Sequence, residues 1–488
     1  MRVRLAGIIS ALESAGLLAG TRGELPEFVD GIADDSRAVR SGTLFIAVKG
    51  SVRDGHEFLT RAEQSGASVA MVEDAGRTTL PAIIVREGRK AAAVAAGAAY
   101  GNPSRELRMI GITGTNGKST TAGILRHLLD QPGSRSASIG TLGVLFGSDA
   151  EVVPGGAELT TPGPVELQRV LRELVNRDVK TVAMEVSSHS LDQRRIDGLS
   201  FDAAIFTNLT RDHLDYHGTM EAYFTAKAAL MDYLVPEGYA AINVDDDNWR
   251  ALPASRRKIC FGVSPEAEVR ATDVRFSPKG SEWRVNYNGE SSPVSLPLIG
   301  DVNVHNALGA IAVGLTLGMD LDSLAESLTD LPQVPGRLEV ISHHPTVLRD
   351  YAHTPDAIER ALGAIRPFTA GRLILVFGCG GDRDRGKRPQ MGHAAEAGAD
   401  VVILTDDNPR TESPEQILDD IEAGMTPGRH KRIEGRRAAI EFALKEAHDG
   451  DVVLLAGKGH ETYQIIGTEK LPFDEKQIVR ELVSGTVG

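Results

Sequence analysis

Two series of short apolar segments, separated by helix-length stretches, constrain the fold of this 488-residue chain more than any other feature. The first series runs from Met109 onward and contains the segments MIGITG, TVAMEV, DAAIFTNL and YAAINV. The second series follows residue 336 and contains the segments TVLRDYA, RLILVFG, DVVILTD and DVVLLAG. Buried strands that alternate with helices form parallel sheets covered by helices. The sequence therefore predicts an α/β protein with a mostly parallel central sheet and a separate, doubly wound sheet near its C-terminus.

Length and local composition predict three domains, because a domain usually comprises roughly 150 residues. Residues 1–105 mix short strand-like segments with an Ala-rich helical stretch, and the linker-like segment GNPSREL closes them. We predict boundaries near residues 105 and 336, which give domains at 1–105, 106–336 and 337–488. Residues 265–299 alternate strand-like segments with Gly and Pro turns, so we expect a β insertion within the second domain.

Composition and charge argue against several classes of protein. The chain carries 53 Lys and Arg against 67 Asp and Glu, a net charge of −14, whereas a general nucleic-acid binder would present a basic face. Its two cysteines, Cys260 and Cys379, cannot form a disulfide framework, which fits a reducing compartment. We therefore expect a cytoplasmic protein without a nucleic-acid partner.

The N-terminal segment MRVRLAGIISALESAGLLAG admits two interpretations. A basic start followed by apolar residues is typical of a signal peptide, but Glu13 interrupts the apolar run. Apolar residues from Leu5 to Leu12 recur at helical spacing, which favours a short amphipathic helix. Elsewhere the most apolar stretch, AAAVAAGAAY, is about half as long as a membrane span requires, so we expect no membrane insertion.

Residues 114–120 read GTNGKST and lie between a predicted strand and a predicted helix. Gly114 and Gly117 let the backbone bend so that its N–H groups can approach phosphate oxygens. Lys118 supplies a positive charge, and the hydroxyls that follow it can reach Mg²⁺. The spacing departs from the strict G-x-x-x-x-G-K-[ST] motif, because Ile112 stands where the first glycine should be. We interpret the segment as a nucleoside triphosphate site; the alternative is a Gly-rich turn that begins a helix by chance.

Polar side chains follow the next two predicted strands. Glu185 ends the segment TVAMEV, and His213 lies in the segment after DAAIFTNL. The carboxyl ends of parallel strands meet at one edge of a sheet, where ligands bind. The two side chains could therefore hold Mg²⁺ beside the phosphates. Alternatively, Asp212, His213, Asp215 and His217 only cap and solvate a turn.

Several longer segments occur in a fixed order along the chain: TGTNGKST, EVSSHSLDQRRIDGL, NLTRDHLDYHG, YFTAKAAL, NVHNALGA, VPGRLE, DYAHTPDA, FGCGGDRDRGKRP and TDDNPRTE. In these segments the chain resembles the Mur ligases, the ATP-dependent amide-bond-forming enzymes of peptidoglycan synthesis. The resemblance spans nearly the whole chain. It is strongest to the member that adds the third amino acid to UDP-N-acetylmuramoyl-L-alanyl-D-glutamate.

The resemblance implies an N-terminal α/β domain that binds UDP, a central P-loop-like ATPase and a Rossmann-like C-terminal domain that binds the amino acid. It implies ATP and Mg²⁺ as cofactors and small-molecule substrates. Separately from the resemblance, we expect a monomer. In the implied reaction the D-glutamyl γ-carboxylate attacks the γ-phosphate of ATP, and the incoming amine then displaces phosphate from the acyl phosphate. A carboxylate is inert to amines until it is activated, so the protein must position the reactants and neutralise charge.

The resemblance also implies ligand-binding residues in the central domain and the linker that follows it. The residues implied to bind ATP are Gly114, Thr115, Asn116, Gly117, Lys118, Ser119, Thr120, Asn303, Asn306, Arg337 and Asp350. The residues implied to bind metal are Ser119, Glu185, His213 and Lys227, and the catalytic residues implied are Lys118, Lys227 and His213.

Two of the family positions have competing interpretations. Lys227 matches a lysine that is carbamylated in the family, which replaces a cation that repels Mg²⁺ with an anionic ligand. From the residues alone, Lys227 would be a solvated helix lysine. His353 either lies near the phosphates or caps the helix that begins at Pro355.

Two further sets of residues are implied to bind the other substrates. Those implied to bind the UDP-linked dipeptide are Ser36, Ser51, Val52, Arg53, Thr160, Thr161, Ser187, Gln193 and Arg195, although the Thr160–Thr161 pair could be a plain turn. Those implied to bind the incoming amino acid are Arg383, Asp407, Asn408, Pro409, Arg410, Gly457 and Glu461.

Arg410 is the most informative of these residues for specificity. Meso-2,6-diaminopimelate has a distal carboxylate that lysine lacks, and a guanidinium can bind a carboxylate through two hydrogen bonds. The diaminopimelate-adding members of the family resemble this chain in the segment DNPR, so the resemblance implies that meso-2,6-diaminopimelate is the amino acid added. The alternative is a surface Arg410 that pairs with Glu412.

Three rival functions stay open on the sequence. They are another amide ligase of the superfamily, such as folylpolyglutamate synthase or a lysine-adding Mur ligase; a regulatory or motor P-loop NTPase; and a dinucleotide-binding oxidoreductase. The segments DSR and DNPR argue against the first. FGCGGDRDRG fits G-x-G-x-x-G poorly, because Arg383 occupies the position of the third glycine.

Overall fold

The computed structural model describes residues 2–50, 53–156, 159–253, 257–277 and 279–485. In these residues the strands form three principal sheets of five, eleven and six strands, together with two small two-stranded sheets. Helices pack against the sheets, so the predicted α/β architecture is confirmed.

The N-terminal part of the chain contains β1 (Val3–Arg4), α1 (Leu5–Ser14), β2 (Leu18–Arg22), β3 (Phe28–Val29), β4 (Ile32–Ala33), β5 (Leu44–Ile46), α2 (Leu59–Gln64), β6 (Val69–Val72), β7 (Ala82–Val85) and α3 (Gly88–Ala99). Five strands form a sheet in the order β2-β7-β6-β5-β4, parallel except for β2 at its edge. Helix α1 buries Leu5, Ile8 and Leu12 in the core beside this sheet, which confirms the predicted amphipathic helix.

The central part contains β8 (Arg108–Thr113), α4 (Lys118–Leu129), β9 (Arg135–Gly140), β10 (Gly143–Phe146), β11 (Glu151–Val153), α5 (Pro164–Asn176), β12 (Val179–Glu185), α6 (Ser188–Asp192), β13 (Phe201–Phe206), α7 (Leu214–His217), α8 (Met220–Ala228), β14 (Leu234–Asn243), β15 (Arg257–Gly262), β16 (Val269–Ser277), β17 (Gly280–Tyr287), β18 (Glu290–Leu296), α9 (Asp301–Thr316) and α10 (Leu321–Ser327). The sheet order is β11-β10-β9-β12-β8-β13-β14-β15-β16-β17-β18. Strands β9 to β16 in this order are parallel, and the strands at both ends are antiparallel.

The predicted β insertion forms β16, β17 and β18, and it extends the central sheet. Trp283, Val285 and Leu296 of this region join the same apolar core as α4 and α9. Because the insertion shares that core, it helps to support the helices that carry the site described below.

The C-terminal part contains β19 (Glu339–His343), β20 (Thr346–Asp350), α11 (Pro355–Ile365), β21 (Leu373–Phe377), α12 (Lys387–Gly398), β22 (Val401–Leu404), α13 (Pro414–Glu422), β23 (His430–Arg432), α14 (Arg436–Glu446), β24 (Val452–Ala456), β25 (Tyr463–Ile466), β26 (Glu469–Pro472) and α15 (Glu475–Gly485). Its sheet has the order β19-β20-β24-β21-β22-β23, parallel except for β19. The β25–β26 hairpin, which the sequence does not predict, intervenes between β24 and α15.

Two connecting segments join these parts. The segment predicted as a linker forms a short 3₁₀ helix, Pro103–Glu106, with Pro103 and Ser104 buried. Near residue 336, the Leu338 N–H donates to the Asp350 carboxylate at 2.7 Å and closes a turn against β20. The domain boundaries at 105 and 336 stay predictions. In the described part of the chain, no helix combines the length and the apolar character needed to cross a bilayer.

Candidate active site

The glycines of residues 114–120 are required by the local geometry. Strand β8 ends at Thr113 and α4 begins at Lys118, and between them Gly114 and Gly117 have φ values of 147° and 86°. A Cβ atom on Gly114 would collide with Thr207, and one on Gly117 would collide with Asn306. The loop therefore lies against the segment that follows β13 on one side and against α9 on the other.

Hydrogen bonds fix this loop beside the start of α4. The Thr115 N–H donates to the Asn208 carbonyl at 2.7 Å, and the Asn116 N–H donates to the Asn208 side chain at 2.9 Å. The Lys118 ammonium donates to the carbonyls of Gly114 and Thr115 at 2.9 and 2.8 Å. The first N–H groups of a helix lack helical partners, and the helix dipole favours an anion there. The loop can accordingly bind phosphate.

The burial of Lys227 shows that it is not a solvated helix lysine. It lies on α8 with only 1% of its surface exposed, and its Nζ donates to the Gly114 carbonyl at 2.7 Å. Its ammonium also lies 4.6 Å from the centre of the Tyr223 ring. Burial, reinforced by the nearby charge of Lys118, lowers the pKa of Lys227 well below its usual value. The neutral amine is thereby favoured.

Glu185 is a buried carboxylate near the same loop. It ends β12, is 2% exposed and accepts hydrogen bonds from the backbone and side chain of Thr141 at 2.9 and 3.2 Å. It forms no direct ion pair with any side chain in the described part of the chain, although it attracts Lys118 from a greater distance. Buried carboxylates are normally paired or bind a metal, so this donor fits a divalent cation.

The described residues include no group of three His, Cys, Asp or Glu side chains that could hold a metal ion by themselves. A cation beside Glu185 would therefore need other oxygens, such as the Ser119 hydroxyl and phosphate. In the structure the Ser119 hydroxyl accepts a hydrogen bond from Arg337 at 3.2 Å.

His213 belongs to a cluster of aromatic rings at the carboxyl edge of the sheet. Its ring centre lies 4.8 Å from that of His189 and 6.2 Å from that of Tyr223. Burial lowers the pKa of His213, with the Asp212 carboxylate acting in the opposite direction. His213 thus reaches the cavity as a largely neutral imidazole at neutral pH.

A cavity of about 280 Å³ joins the loop to residues from α9 and from the linker. All the residues implied to bind ATP except Gly114 line it, as do Glu185 and His213. Asn306 donates to Asn303 at 3.1 Å, and Asn303 donates to the Ile299 carbonyl, so the two amides are held by each other. Burial raises the pKa of Asp350 to about 6.

A second cavity, of about 620 Å³, lies next to the first and shares its wall residues Asp212, His213, Tyr351, His353 and Thr354. Of the residues implied to bind the amino acid, it is lined by Arg383, Asp407, Asn408, Arg410, Gly457 and Glu461. Pro409 does not line this cavity. The structure therefore brings the C-terminal residues to the same opening as the phosphate loop.

The backbone holds Arg410 in an unusual conformation at this cavity. Its φ is 52°, its N–H donates to the Ile465 carbonyl at 3.1 Å, and its guanidinium donates to the Gly381 carbonyl at 2.8 Å. Glu412 pairs instead with the buried Arg388 at 2.9 Å. The alternative that Arg410 pairs with Glu412 is therefore wrong.

Residues implied to bind the dipeptide form a hydrogen-bonded group near Glu185. Thr161 is fully buried and donates to the Glu185 carbonyl at 2.8 Å. Arg195 donates to the Thr161 carbonyl at 3.0 Å and to the side chain of Gln193. Ser187 caps α6 and contacts Thr161 at 3.3 Å. These bonds hold the group in one arrangement, and its role toward a ligand stays a prediction.

The remaining predicted residues are more dispersed. Thr160 lines the first cavity, and its hydroxyl accepts from Thr141 at 3.2 Å. In the N-terminal part, Ser36 is buried and Arg53 is exposed, and neither lines the two cavities. Ser51 and Val52 lie outside the described residues.

The sequence analysis missed two residues that hold the site together, Thr141 and Asp356. Thr141 binds Glu185, and Asp356 of α11 accepts from Asn116 at 3.1 Å and from Thr210 at 3.0 Å. Asp356 thus connects the C-terminal part to the phosphate loop. Its position after a Pro at a predicted helix start was the only available signal. At that helix, Thr354 provides the cap, so the interpretation of His353 as the cap is wrong.

Comparisons with known proteins give a consistent result. Three family models match the chain. The model described as “Mur ligase family, catalytic domain” matches residues 29–106. The models described as “Mur ligase middle domain” and “Mur ligase, glutamate ligase domain” match residues 112–314 and 336–459.

Individual proteins also match over most of the chain. The UDP-N-acetylmuramoyl-L-alanyl-D-glutamate–2,6-diaminopimelate ligase of Geobacillus kaustophilus is 42% identical over 462 residues, which cover 92% of this chain and 94% of the relative. A solved structure of a ligase with that same name is 34% identical and has a TM-score of 0.66, covering 96% of this chain and 98% of the other. MurF ligase from Thermotoga maritima, solved in complex with ADP, has a TM-score of 0.63 over 88% of this chain and 94% of its own. At 20% identity, that match concerns the fold alone.

The burial of Lys227 predicts a gain in stability when its amine is removed. In Lys227→Met, the free energy of unfolding should rise at pH 7, because burial lowers the pKa of this lysine and the cost of deprotonating it on folding disappears with the amine. A lysine with a lowered folded-state pKa opposes folding below its unfolded pKa, so the difference should shrink as the pH approaches about 10.

Urea unfolding of both proteins in bicarbonate-free buffer measures this effect. Lys180→Met, at a half-exposed lysine on β12, is the matched control and should change stability by less than about 0.5 kcal/mol. A clear loss of stability in Lys227→Met would contradict the interpretation.

Proposed function

The chain belongs to the Mur ligase family, and we propose that it adds meso-2,6-diaminopimelate to UDP-N-acetylmuramoyl-L-alanyl-D-glutamate in an ATP-dependent step of peptidoglycan synthesis. One observation carries this proposal. The cavity at the phosphate loop adjoins a second cavity lined by Arg383, Arg410 and Glu461. A triphosphate and an amino acid with an additional carboxylate can therefore meet at one wall, near His213.

Activation of the carboxylate would take place at the phosphate loop. Mur ligases use ATP, and the loop backbone with Lys118 would bind its phosphates. The γ-carboxylate oxygen of the D-glutamyl residue attacks the γ-phosphorus, the bond to the ADP oxygen breaks, and an acyl phosphate forms. Lys118 already points its ammonium at the loop, so positioning and charge neutralisation need little rearrangement.

Amide formation follows in the second cavity. The neutral amine of the amino acid attacks the acyl carbon, phosphate leaves, and the nitrogen loses a proton. Arg383 and Arg410 would bind the distal carboxylate, and Glu461 would bind the distal ammonium group. Asp407, Asn408, Pro409 and Gly457 belong to the two loops that shape this pocket.

Mg²⁺ fits the donors at the first cavity. The buried and unpaired Glu185 carboxylate, with the Ser119 hydroxyl, would hold one ion, and His213 with a carbamylated Lys227 would hold a second. Bound Mg²⁺ would neutralise charge on the phosphates during transfer. The roles of these residues, and those of Asn303, Asn306, Arg337 and Asp350 toward the nucleotide, are part of the proposal.

Carbamylation of Lys227 is supported by its burial and by the nearby charge of Lys118, which both favour the neutral amine. The amine nitrogen attacks the carbon of CO₂, and one proton leaves, so that the lysine becomes an anionic carbamate. The carbamate would also relieve the repulsion between the two lysines. An ammonium at this position would weaken the binding of any cation.

The dipeptide substrate would extend from the phosphate loop toward the N-terminal sheet. Thr160, Thr161, Ser187, Gln193 and Arg195 would bind its peptide part. Ser36, Ser51, Val52 and Arg53 would bind the uridine part. The proposed domains are 1–105 for UDP, 106–336 for ATP and 337–488 for the amino acid, in a cytoplasmic monomer.

The reaction is tested with a panel of amino acids assayed by phosphate release in the presence of the UDP-linked dipeptide and ATP. Phosphate should appear only when dipeptide and amine are both present, and meso-2,6-diaminopimelate should be used in preference to lysine. ATP turnover without an amine would favour the P-loop NTPase alternative, and a preference for lysine would refute the proposed specificity.

Arg410→Ala tests the proposed carboxylate pocket. Loss of a charge-assisted bond should raise the KM for diaminopimelate by about 10- to 100-fold and leave the KM for ATP within about twofold. Steady-state kinetics with each substrate varied in turn measure both constants. Arg385→Ala, at an exposed arginine paired with Asp420 outside the cavity, is the control. Equal effects of Arg410→Ala on both constants would be incompatible with the assignment.

Carbon NMR after incubation with ¹³C-bicarbonate tests the modification of Lys227. A carbamate resonance should be present in the unaltered protein and in Lys180→Met, and absent in Lys227→Met. If the resonance persists in Lys227→Met, the carbamate lies on another lysine.

A further inference from the structure

We propose that Lys458 is a positioning residue that sets the geometry of the amino-acid pocket through Asp407, Asn408 and Glu461. This inference rests on the proposed function and extends it. Lys458 itself does not line the second cavity, whereas its three partners do. It would therefore act on the amino acid through the residues that surround the cavity.

Lys458 is completely buried, yet its ammonium is surrounded by oxygen atoms. Its Nζ lies 3.0 Å from the Asn408 side-chain oxygen, 3.4 Å from the Asp407 carboxylate and 3.6 Å from the Glu461 carboxylate. A buried cation is stable only where such partners compensate for lost hydration. The three oxygens therefore compensate for the lost hydration of Lys458, and the ammonium in turn holds them close to one another.

The backbone on both sides of Lys458 directs its side chain inward. Gly457 and Gly459 have φ values of 114° and 56°. A Cβ atom on Gly457 would approach the Asp407 carboxylate to 2.8 Å, and one on Gly459 would approach Tyr351 to 2.7 Å. Gly457 thus lets the loop after β24 pass close to the loop after β22, and Gly459 lets it pass close to Tyr351, which follows β20.

Lys458 and the Ile465 N–H together fix which way the Asn408 amide faces. The Asn408 oxygen accepts from Lys458 and from the Ile465 N–H at 2.9 Å. The amide nitrogen must then point the other way, where it donates to Glu461 at 2.8 Å. Glu461 is consequently held in place by Asn408 and attracted by Lys458.

This arrangement separates charge across the cavity. Asp407 and Glu461 provide two negative charges beside Lys458, and the buried Arg436 also attracts Asp407, whereas Arg383 and Arg410 bring positive charge to the cavity. The distal end of diaminopimelate carries an ammonium and a carboxylate, which match the two kinds of charge. Without Lys458 the two carboxylates would repel each other, and Asn408 would lose one of its two donors.

Lys458→Met should raise the KM for diaminopimelate by about 10- to 100-fold, as expected when one partner of a buried charge group is removed. The KM values for ATP and for the UDP-linked dipeptide should stay within about twofold. Arg372→Met is the matched control, since Arg372 pairs with the buried Asp451 at 2.8 Å before β24, whereas Lys458 follows that strand. The control should lower thermal stability without changing the ratio of the KM values. If Lys458→Met behaves like the control, the proposal is wrong.

A second pair of variants lowers the risk that an uncompensated buried Asp407 carboxylate prevents folding. Asp407→Asn is compared with Asp407→Asn/Lys458→Met, in which both charges of the pair are absent. The double variant should have a KM for diaminopimelate at least about tenfold above that of Asp407→Asn. Equal KM values would overturn the proposal. If the unaltered protein does not use diaminopimelate at all, the proposed function fails instead, so the two failures are distinguishable.

Discussion

The site depends on the alignment of two parallel sheets whose carboxyl edges open on adjoining cavities. Strands β8, β12 and β13 deliver the phosphate loop, Glu185 and the segment containing His213 to one side. Strands β21, β22 and β24 deliver Arg383, Arg410 and Glu461 to the other. In a parallel sheet the loops that follow the strands lie at the same edge. The site is therefore assembled when the carboxyl edges of the two sheets face the adjoining cavities.

The charges at the phosphate loop are not balanced within the protein. Lys118 and Lys227 both donate to the Gly114 carbonyl, while Glu185 forms no direct ion pair with any described residue, although it attracts Lys118 from a greater distance. Buried charges of this kind lower stability, and proteins retain them chiefly at functional sites. A polyanionic nucleotide with a divalent cation would compensate both kinds of charge, which is why the imbalance supports the proposed reaction.

Polar and apolar contacts link the two sides, since Ile299 of the central part packs in the C-terminal apolar core. Asp356 bridges Asn116 and Thr210, while Gly336 packs so closely on the backbone of His460 that no side chain fits there. The linker between the two sheets therefore contacts the same loop that carries Lys458.

The strand series, the glycine-bordered phosphate loop and the N-terminal amphipathic helix were all predictable from the sequence, because each depends on local periodicity or local backbone conformation. The β25–β26 hairpin was not, since its role is to bind residues 407–410 that lie far away in the chain. The resemblance to Mur ligases likewise identified the family.

The sequence by itself determined the types of chemical group present and the order of the sheets along the chain. Only the tertiary structure decided which of these groups are buried, which partners they have and which protonation state is favoured. It buried Lys227 and so favoured its neutral form, it paired Glu412 with Arg388 and left Arg410 to the cavity, and it surrounded Lys458 with oxygens. Burial and partner choice arise from contacts between distant segments, and no local pattern encodes them.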